Sequence, residues 1–129
     1  MKTLLATTTA AALLALPVLA AAPAHASGGD AVRRSGSCSG STSWKIKAKA
    51  DDTGIEVEAE IDSNRHGQTW TWKLRDNAEL VDSGRATTTR PSGSFSVHRI
   101  AADAAGADAF TFRARNPTTG ETCVARVSR

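Results

Sequence analysis

Two cysteines, Cys38 and Cys123, carry the most reactive side chains of this sequence. In an oxidising compartment an even pair of cysteines favours a single disulfide bond. A two-thiol metal or redox site is one alternative, but no further Cys or His stands at ligand spacing beside either residue. A nucleophilic Cys38 within Ser-Gly-Ser-Cys-Ser-Gly-Ser is another alternative, and oxidation with Cys123 would remove it. We therefore expect one disulfide, no metal and no cofactor.

The remaining candidates for chemistry are His66 and His98. His66 lies in a polar run and is expected to be solvated, whereas His98 lies in a predicted strand and is expected to pack or to lie at a sheet edge. A histidine pair that binds copper or zinc is the alternative. The sequence has no metalloprotease helix motif, nucleophile elbow or phosphate-binding Gly-rich loop. We therefore expect a protein that is not an enzyme.

Three tryptophans can either pack in the hydrophobic core or form an exposed surface on which a sugar ring stacks. Trp70 and Trp72 share one face of a predicted strand, and Trp44 begins another. Because the sequence has only three other aromatic residues, a small core would use these rings. We expect Trp72, together with Phe95, Phe110 and Phe112, in the core. Trp44 and Trp70 are the candidates for stacking, although core packing of Trp70 is the favoured alternative.

The N-terminal residues predict a secretory signal peptide. Lys2 precedes an apolar run at 4–19, and small residues follow up to Ala24-His25-Ala26, which predicts cleavage after Ala26 and secretion of the mature chain. The run is interrupted and shorter than the ~20 apolar residues that a membrane span needs. We therefore expect no membrane insertion after cleavage.

Cleavage after Ala26 leaves 103 residues, with 15 basic residues against 13 acidic ones. That length suits one domain. Except for the pair Arg33 and Arg34, the basic residues are spread along the sequence, so we expect no nucleic-acid partner. Residues 27–43 are rich in Ser and Gly and predict a flexible leader, which leaves 44–129 as the folded domain.

Alternating side chains predict strands through most of this domain. In 44–50 and 55–62 apolar residues alternate with three Lys and with four acidic residues, and 51–54 read as a tight turn. If Ala50 pairs with Ile55, three Lys–Glu pairs form across the hairpin: Lys49 with Glu56, Lys47 with Glu58, and Lys45 with Glu60. A one-residue slip would bury these charges, so the pattern fixes the register. A calcium site or an acid–base pair of Glu side chains is the alternative.

Further strands are predicted at 69–75, 79–82, 86–89 and 94–100, followed by a possible helical turn at 101–107. A final hairpin joins 108–115 to 122–128, because Asn116, Pro117 and Gly120 favour a turn. Seven or eight short strands at this spacing predict an all-β antiparallel sandwich.

The run 108–116 resembles the strand before the last in immunoglobulin-like and fibronectin type III-like domains, where an acidic residue precedes an aromatic corner. A Trp on the third strand, Trp70 or Trp72, is a second likeness. Phe110 replaces the corner Tyr, and Phe112 stands where an antibody-type domain has its second core Cys. The resemblance implies that Cys38 and Cys123 join the first strand to the last.

The same resemblance implies that loops 63–68, 90–93 and 116–120 meet at one end of the sandwich. The candidate binding residues of this end are polar or basic: Arg65, His66, Arg90, Asn116, Thr118 and Thr119. A solvated loop end with no ligand is the alternative. We expect a secreted monomeric module that binds a protein or a cell-surface component here. The competing hypotheses are a carbohydrate-binding module that recognises a surface glycan through exposed Trp, and a small secreted enzyme inhibitor that uses 116–120.

Overall fold

The computed structural model describes residues 30–129, and within them the chain forms eight β-strands and no helix. The strands are β1 (Val32–Ser37), β2 (Ser43–Asp51), β3 (Gly54–Asp62), β4 (Thr69–Asp76), β5 (Glu79–Thr87), β6 (Ser94–Ala101), β7 (Ala109–Arg115) and β8 (Thr122–Ser128). They form two antiparallel sheets of four strands. The first sheet has the order β1-β2-β3-β6, and the second has the order β5-β4-β7-β8. The predicted all-β, two-sheet fold is therefore confirmed.

The hairpin of β2 and β3 has the register that the charge pattern predicted. Ala50 lies opposite Ile55, and Lys49, Lys47 and Lys45 lie opposite Glu56, Glu58 and Glu60. The apolar positions between them point inward, and Ile46, Ala48, Val57, Ala59 and Ile61 are all buried. The hydrophobic pattern thus sets the register, and the charges occupy the solvent face.

The core lies between the two sheets and is built from alternate residues of every central strand. Trp72 stacks on Phe112 with 5.7 Å between the ring centroids. Phe110 and Phe112 are fully buried, and Phe95 is only 8% exposed. The four predicted core residues are therefore confirmed.

The leader predicted at 27–43 is corrected where the structure describes it. Residues 32–37 form β1, which pairs antiparallel with β2 at the edge of the first sheet. Gly36 in β1 lies directly against the ring of Trp44 in β2. A Cβ at this position would lie 2.5 Å from the ring of Trp44, so the bare glycine backbone lets that ring pack against it.

Two further segments differ from prediction. The segments 79–82 and 86–89 were predicted as separate strands, but β5 is one continuous strand with a register shift opposite Leu74 and Arg75. Such a bulge absorbs the extra residue without ending the strand. Residues 102–108 form a loop with no helical turn, and the buried Asp108 carboxylate accepts a hydrogen bond from the Ala104 amide at 3.1 Å.

The predicted disulfide between Cys38 and Cys123 is confirmed. Cys38 follows β1 in the first sheet, and Cys123 lies in β8 of the second sheet, where it is fully buried. The Ser39 amide also donates a hydrogen bond to the Thr122 carbonyl at 2.9 Å. The disulfide therefore joins the two sheets along one side of the sandwich.

The predicted signal peptide and its cleavage site lie outside the described residues. Within residues 30–129, no helix has the length and apolar character needed to cross a bilayer.

The disulfide closes a segment of 85 residues, so its loss should strongly destabilise the protein. On the chain-entropy model, we expect Cys38→Ala with Cys123→Ala to lower the free energy of unfolding by about 4 to 5 kcal/mol, as measured by urea denaturation. A reductant should lower the urea midpoint of the wild type to a similar extent and leave the double variant unchanged. Equal midpoints for oxidised wild type and double variant would contradict this role.

Candidate functional site

Four loops emerge together at one end of the sandwich, which we call the loop end. They are 38–42, 63–68, 88–93 and 116–121, and each connects an odd-numbered strand to the next strand. Because neighbouring strands run antiparallel, these loops all lie at the same end. The sequence indicated three of them. It missed 38–42 because this loop was assigned to the leader.

Loops 63–68 and 88–93 form one hydrogen-bonded unit. The Ser63 amide donates to the Gly93 carbonyl at 3.0 Å, and the Gly67 amide donates to the Thr88 carbonyl at 2.8 Å. The Thr88 hydroxyl donates to the carbonyl of Arg65 at 2.5 Å. Gly93 has a φ of 76°, and a Cβ there would lie 2.3 Å from the Arg65 nitrogen. The two loops are therefore held in one arrangement by their backbones, and the Arg65 side chain is left exposed.

Loops 38–42 and 116–121 form the second unit, which the disulfide holds together. The buried Thr42 hydroxyl donates to Oε1 of Glu121, and the Thr122 amide donates to the Ser39 hydroxyl at 2.9 Å. These bonds fix the Glu121 carboxylate at the margin between the two loops.

Asn116 has a structural role in this unit instead of the predicted exposed binding role. It is only 2% exposed, and its Oδ1 accepts hydrogen bonds from the amides of Thr118 at 3.0 Å and Thr119 at 3.3 Å. The side chain thus closes the turn in the way that Asn commonly does. Its inclusion among the binding residues is corrected for this reason.

A polar cleft of about 330 Å³ lies between the two units. It is lined by Ser39, Gly40, Ser41, Thr42, Ser63, Arg65, Gln68, Thr119, Gly120 and Glu121. The Oε1 atom of Gln68 is buried and has no hydrogen-bond partner in the described chain. Buried polar atoms are normally paired, so an unpaired amide oxygen is an unusual feature of a residue that lines the cleft.

The structure brings only some of the predicted binding residues to this cleft. Arg65 and Thr119 line it. His66, Arg90 and Thr118 are exposed on the same loops but do not line it. The sequence missed Gln68 and Glu121, because nothing in their local pattern shows that loops distant in the chain face each other.

The two tryptophans predicted to stack on a ligand, Trp44 and Trp70, differ in their exposure. Trp70 is fully buried, so its prediction as a stacking platform is wrong. Its position on β4 points it inward in register with Trp72 and Leu74. Trp44 is half-buried, and its Nε1 donates to the Ser37 carbonyl at 3.3 Å.

A buried carboxyl pair lies at the opposite end from the cleft. Asp76 ends β4 and continues the inward series of Trp70, Trp72 and Leu74, and Asp108 precedes β7. Asp76 is 9% exposed and Asp108 is 1% exposed. Burial, together with the neighbouring Asp108 carboxyl, raises the pKa of Asp76 to about 6. The sequence suggested only a turn at Asp76, although the two-residue period placed it on the buried face.

Comparison with family models, with curated proteins and with solved structures finds no match to this chain. Within residues 30–129, no group of three or more His, Cys, Asp or Glu side chains is arranged to hold a metal ion.

The carboxyl pair predicts that the protein is more stable in mild acid. The pKa of about 6 in the folded state lies above the value of about 3.9 for an unfolded aspartate, so protonated Asp76 stabilises the fold below about pH 4. This contribution is lost as the pH rises through about 6. We expect the free energy of unfolding to fall by about 2 kcal/mol between pH 4 and 7 in the wild type, as measured by urea denaturation.

Asp76→Asn should largely remove this fall, whereas Asp103→Asn on the exposed loop that follows β6 should retain it. Asp51 and Asp82 have lowered pKa values because of hydrogen bonds from the Thr53 amide and from Arg99 respectively. Their ionised carboxylates stabilise the folded state, and this stabilisation is lost only as the pH falls through their lowered pKa values. A stability that rises from pH 4 to 7 equally in wild type and Asp76→Asn would contradict the assignment.

Proposed function

We propose that this protein is a secreted, non-enzymatic module of immunoglobulin-like or fibronectin type III-like architecture. It binds a protein or another cell-surface component at the loop end. The observation that carries the proposal is the polar cleft between the two loop units, which Arg65, Gln68 and Glu121 line.

The connectivity supports this architecture. The chain passes between the two sheets three times, from β3 to β4, from β5 to β6 and from β6 to β7. Such crossings are typical of the Greek-key sandwiches to which immunoglobulin-like domains belong. Asp108 stands buried just before the aromatic β7, at the position that suggested the resemblance.

The secreted state is supported by the disulfide, which indicates an oxidising, extracellular environment. We place the mature N-terminus after Ala26, on the pattern of the preceding residues. Surface loops on a rigid sandwich are a common site of binding, and here the disulfide and the backbone bonds of both loop units supply the rigidity.

The chemistry of the cleft favours recognition of a polar group. Arg65 offers hydrogen-bond donors, Glu121 offers acceptor oxygens, and the amide of Gln68 has both kinds of group. A segment with both donors and acceptors, such as a peptide backbone or a hydroxylated glycan, satisfies all three. The residues that line the cleft include neither His nor Cys, and the Glu121 carboxylate accepts a hydrogen bond from the Thr42 hydroxyl, so we propose that the cleft binds and does not catalyse.

Site-specific photo-crosslinking tests this proposal. A photo-reactive amino acid at exposed position 118 should give a covalent adduct with a component of the producing cell's surface or medium. The same group at position 103, on the loop at the opposite end, should give none. Intact-protein mass spectrometry and gel shift would measure the adduct.

Arg65→Ala combined with Gln68→Ala should reduce the adduct at position 118 at least tenfold, because both changes remove polar contacts inside the cleft. The matched control is Arg90→Ala, which removes a charge from the same end outside the cleft and should retain the adduct. No adduct at position 118, or adducts of equal strength from both ends, would contradict the proposal.

A further inference from the structure

The outer face of the second sheet carries six basic side chains, which we call the basic face: Lys73, Arg75, Arg85, Arg113, Arg115 and Arg126. Each alternates along its strand with inward-pointing residues. Five of them are exposed, and Arg75 is half-buried. These residues are spread along the sequence, and the pairing of four strands gathers them.

The register arranges the six cations in three rows across the sheet. In the middle row Lys73 lies directly opposite Arg113. In the row nearer the loop end, Thr71 lies between Arg85 and Arg115. In the third row, Thr111 lies between Arg75 and Arg126. Rows on one face of a strand recur every two residues, or about 7 Å.

No carboxylate of the described chain occupies an outward position of this sheet. None of the six cations forms an ion pair within residues 30–129. The first sheet is the internal comparison, because its outer face pairs three Lys with three Glu. Like charges directly opposite each other, such as Lys73 and Arg113, destabilise a sheet. An anion bound there would relieve that repulsion.

The middle of the basic face is also concave. A groove of about 220 Å³ is lined by Thr71, Trp72, Lys73, Arg113 and Arg115. The side chains of Thr71, Lys73, Arg113 and Arg115 supply hydrogen-bond donors around the groove, and a tetrahedral oxyanion accepts hydrogen bonds from guanidinium and hydroxyl groups together. Five of the six cations are arginines, the residue best suited to bidentate contact with phosphate.

We propose that the basic face binds a linear polymer of phosphodiester repeats on the extracellular surface. This site is separate from the cleft of the loop end and does not depend on it. A phosphodiester chain carries its charges in its own backbone, so one extended chain along β4 and β7 would place successive phosphates over successive rows. The linking units are polyols or sugars instead of nucleosides, because the one aromatic residue that lines the groove, Trp72, is only 4% exposed and leaves no ring face on which bases could stack.

Binding of purified poly(glycerol phosphate) by isothermal titration calorimetry, over a series of salt concentrations, tests the proposal. Affinity should fall steeply with salt, with a slope of log K against log salt of about −4 for six neutralised charges. Duplex DNA, dextran sulfate and polyglutamate are the comparison polymers, and each should bind at least tenfold more weakly.

The decisive variant is Arg113→Glu, which turns the Lys73–Arg113 repulsion into an opposite-charge pair like those of the first sheet. It should not reduce thermal stability, yet it should weaken binding at least tenfold and lower the salt slope by 1 to 2. Arg33→Glu is the matched control, because Arg33 lies opposite Lys47 at the edge of the other sheet. It makes the same change in net charge and should alter affinity less than twofold.

Three results would overturn the proposal. The first is no binding of poly(glycerol phosphate) at 50 mM salt or below. The second is an equal loss of affinity in Arg113→Glu and Arg33→Glu, which would show attraction by net charge alone. The third is equal or tighter binding of any comparison polymer, which would assign the face to that polymer or to no particular one.

Discussion

The fold depends on the burial of every second residue along paired strands. When one side chain of a strand points inward, the residues before and after it point outward. Residues that pair across neighbouring strands point to the same face, so the alternation of one strand determines that of the next. Ile46, Val57 and Val97 on one sheet and Leu74 and Phe112 on the other are buried in this way. The composition of each outer face is therefore a consequence of the core. The same constraint that buries Leu74 and Phe112 places Lys73 against Arg113 at the surface.

Two contacts of different kinds close the sides of the sandwich. Along one side the Cys38–Cys123 disulfide joins the sheets next to the loop end. Along the other, Nε of Arg99 on β6 donates to the Asp82 carboxylate on β5 at 2.7 Å, and its guanidinium lies 5.2 Å from the centre of the Trp72 ring. The covalent contact thus holds the end that we assign to binding. The ion pair with Asp82 allows the charged Arg99 to lie on the inner face of the edge strand β6.

The sequence was most informative where pattern and local chemistry agreed. The β2–β3 register followed from the Lys and Glu rows, because any slip would have buried charge. It was least informative where long-range contacts decide. Strand β1 pairs with β2 where Gly36 leaves room for the ring of Trp44, and Glu121 and loop 38–42, far apart in the sequence, line the same cleft next to the disulfide. The sequence does not reveal the basic face for the same reason, because its six cations are far apart along the chain and meet only across paired strands.

The cross-strand register of the second sheet is the feature most worth measuring, because the core, the basic face and the loop end all follow from it. Nuclear Overhauser contacts between backbone protons of β4 and β7 would measure this register in solution. We expect Lys73 to lie opposite Arg113 and Leu74 to lie opposite Phe112. Contacts that place Lys73 opposite Phe112, a slip of one residue, would contradict it, because they would bring charged side chains into the core.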